Sequence, residues 1–356
     1  GAGASVNGIS GFKFGDSNTV PYNIPAATYA QVYLRNQVAT LQGAATVTFL
    51  EIGTGFIAGG NTVTVTAASA VSVATSGYIT STSGGSWTVT GAWTNDSTSA
   101  SWSFAAPITF NAGANVTMTF AGTNLAGNEF DAATFNSTAA ITYTMATRGL
   151  RLGGALSITD TLTTVGLTTS NLAVTAGSVT IGTNGTLTAG SSTITVSGNW
   201  DSSAGTFTVG TSTVSLGATA SIASAATSSF YNLTITVGTS TPSNNIDVDN
   251  TFTISGGIYA KGTTTLNVDG GLTLSGGAIT STSGAVTITG AVNISNAASY
   301  IDLGSESWTV SGTWTNASTS ASWDAGTGTV TFTSATGGTM TFAGANLAEA
   351  EFNSVT

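Results

Sequence analysis

Apolar residues between Asn245 and Ser295 recur in doublets of the form apolar–x–apolar, and the doublets step forward by twenty residues. Ile246/Val248 is followed by Leu266/Val268 and then by Val286/Ile288. A second line keeps the same step through Phe252/Ile254, Leu272/Leu274 and Val292/Ile294, and a third runs through Ser255-Gly-Gly, Ser275-Gly-Gly and Ser295-Asn-Ala. Alternation puts both members of a doublet on one face of a strand and the intervening Thr, Asp or Asn on the other. A fixed period of this length marks a chain that coils on itself, each coil stacking its apolar side on the last. Helical spacing fails here, and Gly and Thr dominate the turns. The pattern predicts an all-β fold, a parallel β-solenoid with about 20–22 residues per coil.

The same architecture extends upstream, where Leu150/Leu152, Leu172/Val174 and Ile194/Val196 step by twenty-two. A corner motif, apolar–Thr–apolar–Ser/Thr–Gly–x–apolar, occurs at Trp87–Trp93, Ile194–Trp200, Val286–Val292 and Trp308–Trp314. Its Gly is expected to let the chain turn from one side of a coil to the next. Residues 1–75 lack the repeat and hold Pro21, Pro25, Tyr22, Tyr29 and Tyr33. They are expected to form a distinct β-rich cap or assembly module preceding a solenoid over 76–356. Within them, the opening stretch Val6–Phe14 ends in strand-like alternation, while Ala26–Gln42 fits either a helix after Pro25 or a strand through Ala30, Val32 and Leu34.

Two longer blocks are near-duplicates. Ser86–Phe130 carries Trp87, Trp93, Trp102, Phe110, Phe120 and Phe130, and Ser307–Phe352 carries Trp308, Trp314, Trp323, Phe332, Phe342 and Phe352. A weaker copy holds Trp200, Phe207 and Phe230, so the Trp-containing blocks span about 86–145, 193–237 and 307–356 and contain all seven Trp. The succession W-T-x-x-G-x-W, T-x-T-F, F-x-N-L-T-I resembles repeats of large secreted bacterial β-solenoid proteins, including surface adhesins and autotransporter passengers. The resemblance covers about residues 77–356. It implies export and a role in adhesion or surface structure, and it carries over no functional residue, because the repeats of that family are scaffold.

Composition narrows the function classes. Apolar residues make up 41% of the 356 and charged residues 6%, with a net charge of −10. The five cations, Lys13, Arg35, Arg148, Arg151 and Lys261, are scattered. A nucleic-acid ligand needs a basic face that releases counterions, and no such face is expected. No apolar run approaches the ~20 residues of a membrane span, so membrane insertion is not expected. Cys and His are both absent, which removes disulfides, thiolate metal sites and the usual general base.

Candidate chemistry then reduces to aromatic, acidic and Asn side chains. Trp87, Trp93, Trp308 and Trp314 occupy positions that hold Val or Ile in other coils, so they are expected in the core rather than on a sugar platform. Trp102 and Trp323, in a Ser/Thr-rich insert, are the better candidates for exposed contact. The pairs Asp247/Asp249, Glu129/Asp131 and Glu349/Glu351 are expected on a solvated outer face; weak calcium binding or a carboxylate catalytic pair are the sharper alternatives. Seven Asn-x-Ser/Thr sequons occur, and Asn95 with its equivalent Asn316 is expected to be exposed and open to glycosylation.

No catalytic, cofactor or metal residue is assigned, and the chain is not expected to be an enzyme. The expected function is that of a structural subunit of an extracellular filament, sheath or surface layer; the alternative is a surface adhesin or carbohydrate-binding stalk. Copies of the chain are the expected partners, with glycans possible ligands and the cell surface the expected location. Assembly is expected head to tail by strand addition, through Phe12 and Phe14 at one end and Phe352 and Val355 at the other.

Overall fold

The computed structural model describes residues 12–14, 22–34, 38–66, 71–225, 230–334 and 338–356. Val6 and Ile9 of the opening stretch lie outside them. The strand Phe12–Phe14 is described in its backbone alone, so the side chains of Phe12 and Phe14 also lie outside the described set. Two compact units are present, Gly1–Thr188 and Ala189–Thr356. Among the described residues, regular structure is strand throughout except for 3-10 turns at Gly122–Asn124 and Gly344–Asn346. The chain is a parallel β-solenoid.

In the second unit the doublets stack as the periodicity predicts. Ile246 pairs with Leu266, Leu266 with Val286, Val286 with Trp308 and Trp308 with Val330, all in parallel register. Val248, Val268, Ile288 and Val310 form the companion line of the same ladder. Phe252, Leu272, Val292 and Trp314 line the adjoining side. All of these side chains are buried. Parallel strands buried on the inner side carry short apolar runs, and each doublet supplies one such run before the chain turns.

Corner glycines are required by contact rather than by dihedral angle. A Cβ on Gly290 would lie 2.4 Å from Gly270 O, and one on Gly312 would lie 2.2 Å from Gly290 O. Neither residue has positive φ. Successive coils bring their corner backbones together, and only a residue without a side chain fits between them.

In the first unit one ladder runs Ala45–Val63–Trp87–Ile108–Ala133–Leu156–Val179, again parallel at every step. Trp87 and Trp93 stand where Val63 and Val71 stand one coil earlier. Their rings fill the coil, Trp87 against Phe104 at 5.1 Å and Trp93 against Phe130 at 5.0 Å between centroids. The core position expected for Trp87, Trp93, Trp308 and Trp314 is therefore found.

The region expected as a separate module is β-rich, and it shares the ladder. Ala27–Leu34 is a strand, so the helical alternative falls; it pairs with Ala45–Ile52, which pairs in turn with Val63–Val65 and Val71–Val73. Phe12–Phe14 pairs with Val32–Leu34. Among the described residues no break in strand stacking marks residue 75, although the apolar spacing differs there from the twenty-residue step.

Candidate functional site

The Ser86–Phe130 and Ser307–Phe352 blocks each fold around one carboxylate. In the first, the strand Trp93–Asn95 aims two inward side chains at Glu129: Trp93 Nε1 and Asn95 Nδ2 both donate to Oε1, each at 2.9 Å. Ala121 N donates to Oε2 at 2.8 Å, and Trp102 Nε1 donates to the Glu129 carbonyl at 2.9 Å. The 3-10 turn at Gly122–Asn124 follows Ala121 directly and delivers these backbone donors. Asn95 then starts a chain of local bonds: Ser97 N donates to Asn95 Oδ1, Ser99 N to Ser97 Oγ, and Ser101 N to Ser99 Oγ. Ser and Asn make such turns because their side-chain oxygens reach backbone N–H groups two residues on.

The second block repeats the arrangement. Trp314 Nε1 and Asn316 Nδ2 donate to Glu351 Oε1 at 2.8 and 2.9 Å, Ala343 N to Oε2 at 2.7 Å, and Trp323 Nε1 to the Glu351 carbonyl at 3.0 Å. Ser318, Ser320 and Ser322 reproduce the serine series.

The two knots differ in solvent exposure. Glu129 is fully buried, and burial pushes its carboxyl up to about 7 against the lowering effect of Asn95, Trp93, Ala121 and Gly122. Glu351 is half-buried. Phe120, in the first block, is fully buried, whereas its counterpart Phe342 is 49% exposed.

Several expectations are corrected by this geometry. Glu129 does not sit on a solvated face, because its acceptor oxygens hold the interior donors; its neighbour Asp131 is exposed. Asn95 and Asn316 are buried and their amide nitrogens are occupied by the carboxylates, so neither is an open glycosylation acceptor in the folded chain. Trp323 is buried, while Trp102 is half-buried at the edge of an open hollow, and each is tethered through its indole N–H. The one shared sequence signal is W-T-N followed by E-F, at Trp93, Asn95 and Glu129 and again at Trp314, Asn316 and Glu351, and it becomes readable only once the folded pairing is known.

Arg148 and Arg151 serve the first block. Arg148 donates to Phe120 O and Asn95 O, both at 3.1 Å, and pairs with Asp96; Arg151 donates to Leu125 O at 2.9 Å. Asp247, Asp249 and Asp269 come together on the outer side, with carboxylate oxygens within 4.8 Å of one another. Asn267 donates to both Asp247 and Asp269. Phe352 is half-buried against Trp314 at 5.2 Å, and Val355 is 53% exposed.

A buried ion pair is a further feature that sequence reasoning missed. Lys261 and Glu306 have no exposed side-chain surface and approach to 2.7 Å between Nζ and Oε2. Nζ also donates to Thr264 O and Ser283 O, while Ser281 Oγ and Trp308 Nε1 both donate to Glu306 Oε1. Lys261 sits two residues after Tyr259 on an inward-facing strand position, where the alternation alone would have announced a core residue.

Comparison with protein-family models, with curated proteins and with solved structures gives no match. No helix among the described residues is long and apolar enough to cross a membrane.

Proposed function

We propose that this chain is a structural subunit of an extracellular filament, sheath or surface layer, built by association of copies of itself, with no catalytic role. The observation that carries this reading is the use made of chemically capable side chains. The buried carboxylate Glu129, its equivalent Glu351 and the indoles and amides around them fasten one coil to the next. Arg148 and Arg151, the cations nearest each other in sequence, hold backbone carbonyls. Such fasteners suit a scaffold whose product is stiffness. Strand addition is the proposed mode of association, since parallel coils present N–H and C=O groups along the stacking direction. Phe342, Phe352 and Val355 are proposed for the contact face because each keeps apolar surface exposed or half-exposed.

The second reading, a carbohydrate-binding stalk, has one observation in its favour. An open hollow of about 270 Å3 is lined by Trp102, Asn128 and Asp131, the mixture of aromatic face and polar rim that sugars use. Electron microscopy of the native material with an antibody to this chain separates the two. Label distributed along an extracellular polymer supports the subunit; label at the tips of a different structure, with binding to oligosaccharides lost in Trp102→Ala, supports the stalk.

A further inference from the structure

The Lys261–Glu306 pair has more in it than an ion pair needs. The two residues belong to coils two steps apart, Lys261 on the strand Ile258–Gly262 and Glu306 just beyond Tyr300–Asp302, with Ser281 of the intervening strand Ala278–Ser281 between them. Both side chains are sealed from solvent. Burying two charges carries a desolvation penalty that mutual attraction repays only when the remaining lone pairs and protons are satisfied. Here they are satisfied unevenly. Oε1 accepts from Trp308 Nε1 at 2.5 Å and from Ser281 Oγ at 2.6 Å. Oε2 faces Nζ at 2.7 Å and yet accepts no well-aligned hydrogen bond. One carboxylate oxygen is thus held by two neutral donors, while the other stands against the amine.

We propose that Lys261 and Glu306 are joined by an isopeptide bond between Nζ and Cδ, formed within the folded chain with release of one water molecule. The reaction begins with transfer of a proton from the ammonium to Oε2, which leaves a neutral amine beside a neutral carboxyl group. The Nζ lone pair attacks Cδ and forms the C–N bond. Negative charge develops on Oε1, where the Trp308 N–H and Ser281 O–H are already aimed, an arrangement that stabilises a tetrahedral intermediate. A second proton passes from Nζ to Oε2, the Cδ–Oε2 bond breaks and water departs. The remaining Nζ–H has Thr264 O and Ser283 O within reach as acceptors. No oxidant, reductant or co-reactant is needed.

Three features favour condensation over the ion pair at this position. Burial raises the Glu306 carboxyl above its ordinary value, with Lys261 and Ser281 opposing, which brings the neutral acid within reach. A dry interior removes the water that hydrolyses amides in solution. Contact between amine and carboxyl is fixed by the fold, so the bimolecular step becomes intramolecular. The product replaces two buried charges with a neutral amide and staples three successive coils together, which stiffens the solenoid along its stacking direction.

Intact-mass spectrometry of the folded, purified chain, followed by denaturation and proteolytic mapping, tests this directly. The expected wild-type mass is one water molecule below that of the sequence, with a branched peptide joining the segments around Lys261 and Glu306. Lys261→Met, which removes the nucleophile and keeps an unbranched apolar side chain, is expected to show its full sequence mass. Separate, unlinked Lys261 and Glu306 peptides from the wild type would overturn the proposal. So would a water loss that maps to Asp269-Gly270, where an aspartyl–glycine step can close to a succinimide. Either result leaves the filament reading untouched, because that reading is judged by microscopy and not by mass.

Discussion

Trp93 and Glu129 are separated by 36 residues and meet through one buried hydrogen bond, Nε1 to Oε1 at 2.9 Å. The same bond joins Trp314 to Glu351 across 37 residues, at 2.8 Å. Each closes a block of stacked coils by tying an early strand to the chain that follows its 3-10 turn. An indole N–H inside an aromatic core has no water to bond, so a carboxylate brought in from a later loop is the feature that makes the tryptophan tolerable there.

Removing the acceptor should therefore cost more than removing a surface acid. Glu129→Ala leaves Trp93 Nε1, Asn95 Nδ2 and Ala121 N without their partner. Each orphaned buried donor costs about 1–3 kcal/mol, so a loss of about 3 kcal/mol or more is expected from urea unfolding. Glu351→Ala, at a half-buried site where water can replace the carboxylate, is expected to lose less.

Glu129 also sets a pH dependence whose sign is fixed by its raised carboxyl, about 7 against 4.5 in the unfolded chain. Between these values the folded chain holds a proton that the unfolded chain has released, so stability falls as pH rises. The contribution is fully present below about 4.5 and is lost as pH passes through about 7. Its size is on the order of 3 kcal/mol. Urea midpoints measured at mildly acidic and mildly alkaline pH should show this loss in the wild type, and Glu129→Gln should flatten it.

The ladder itself predicts a sharp response at Leu272, which is fully buried between Phe252 and Val292. Leu272→Asp places an unpaired charge in the core and should unfold at least the neighbouring coils. Circular dichroism should show loss of strand signal, and limited proteolysis should cut between residues 246 and 294. Persistence of an intact, protease-resistant chain would contradict the stacking.

Two glycines should behave oppositely. Gly290→Ala must push its Cβ into the backbone of Gly270, 2.4 Å away, and is expected to lose about 1–3 kcal/mol as overpacking does. Gly127→Ala meets nothing within 4 Å and should be close to neutral. Thermal unfolding of the two variants side by side checks the claim that corners are set by coil-to-coil contact.

The solenoid was legible in the sequence because a parallel stack repeats one apolar pattern at one step, and Ile246, Leu266 and Val286 carry that pattern without interruption. Tryptophan burial was legible for the same reason, since Trp308 and Val286 hold equivalent places. The carboxylate knots were not, because Glu129 and Glu351 read as members of acidic pairs and polarity alone places them outside. Their partners come from a strand more than thirty residues earlier, a relation that alternation along one strand does not encode. Lys261 escaped notice likewise: its strand position points inward, but only its meeting with Glu306, two coils on, makes that position habitable.

Cryo-electron microscopy of the purified chain across a concentration series tests the central claim, that this solenoid is a self-associating structural subunit. Filaments are expected to lengthen with concentration, with a ~4.8 Å repeat along their axis from coil-on-coil strand stacking, and Phe342→Glu is expected to shorten them. Monodisperse single particles at every concentration, with Phe342→Glu indistinguishable from the wild type, would contradict the account.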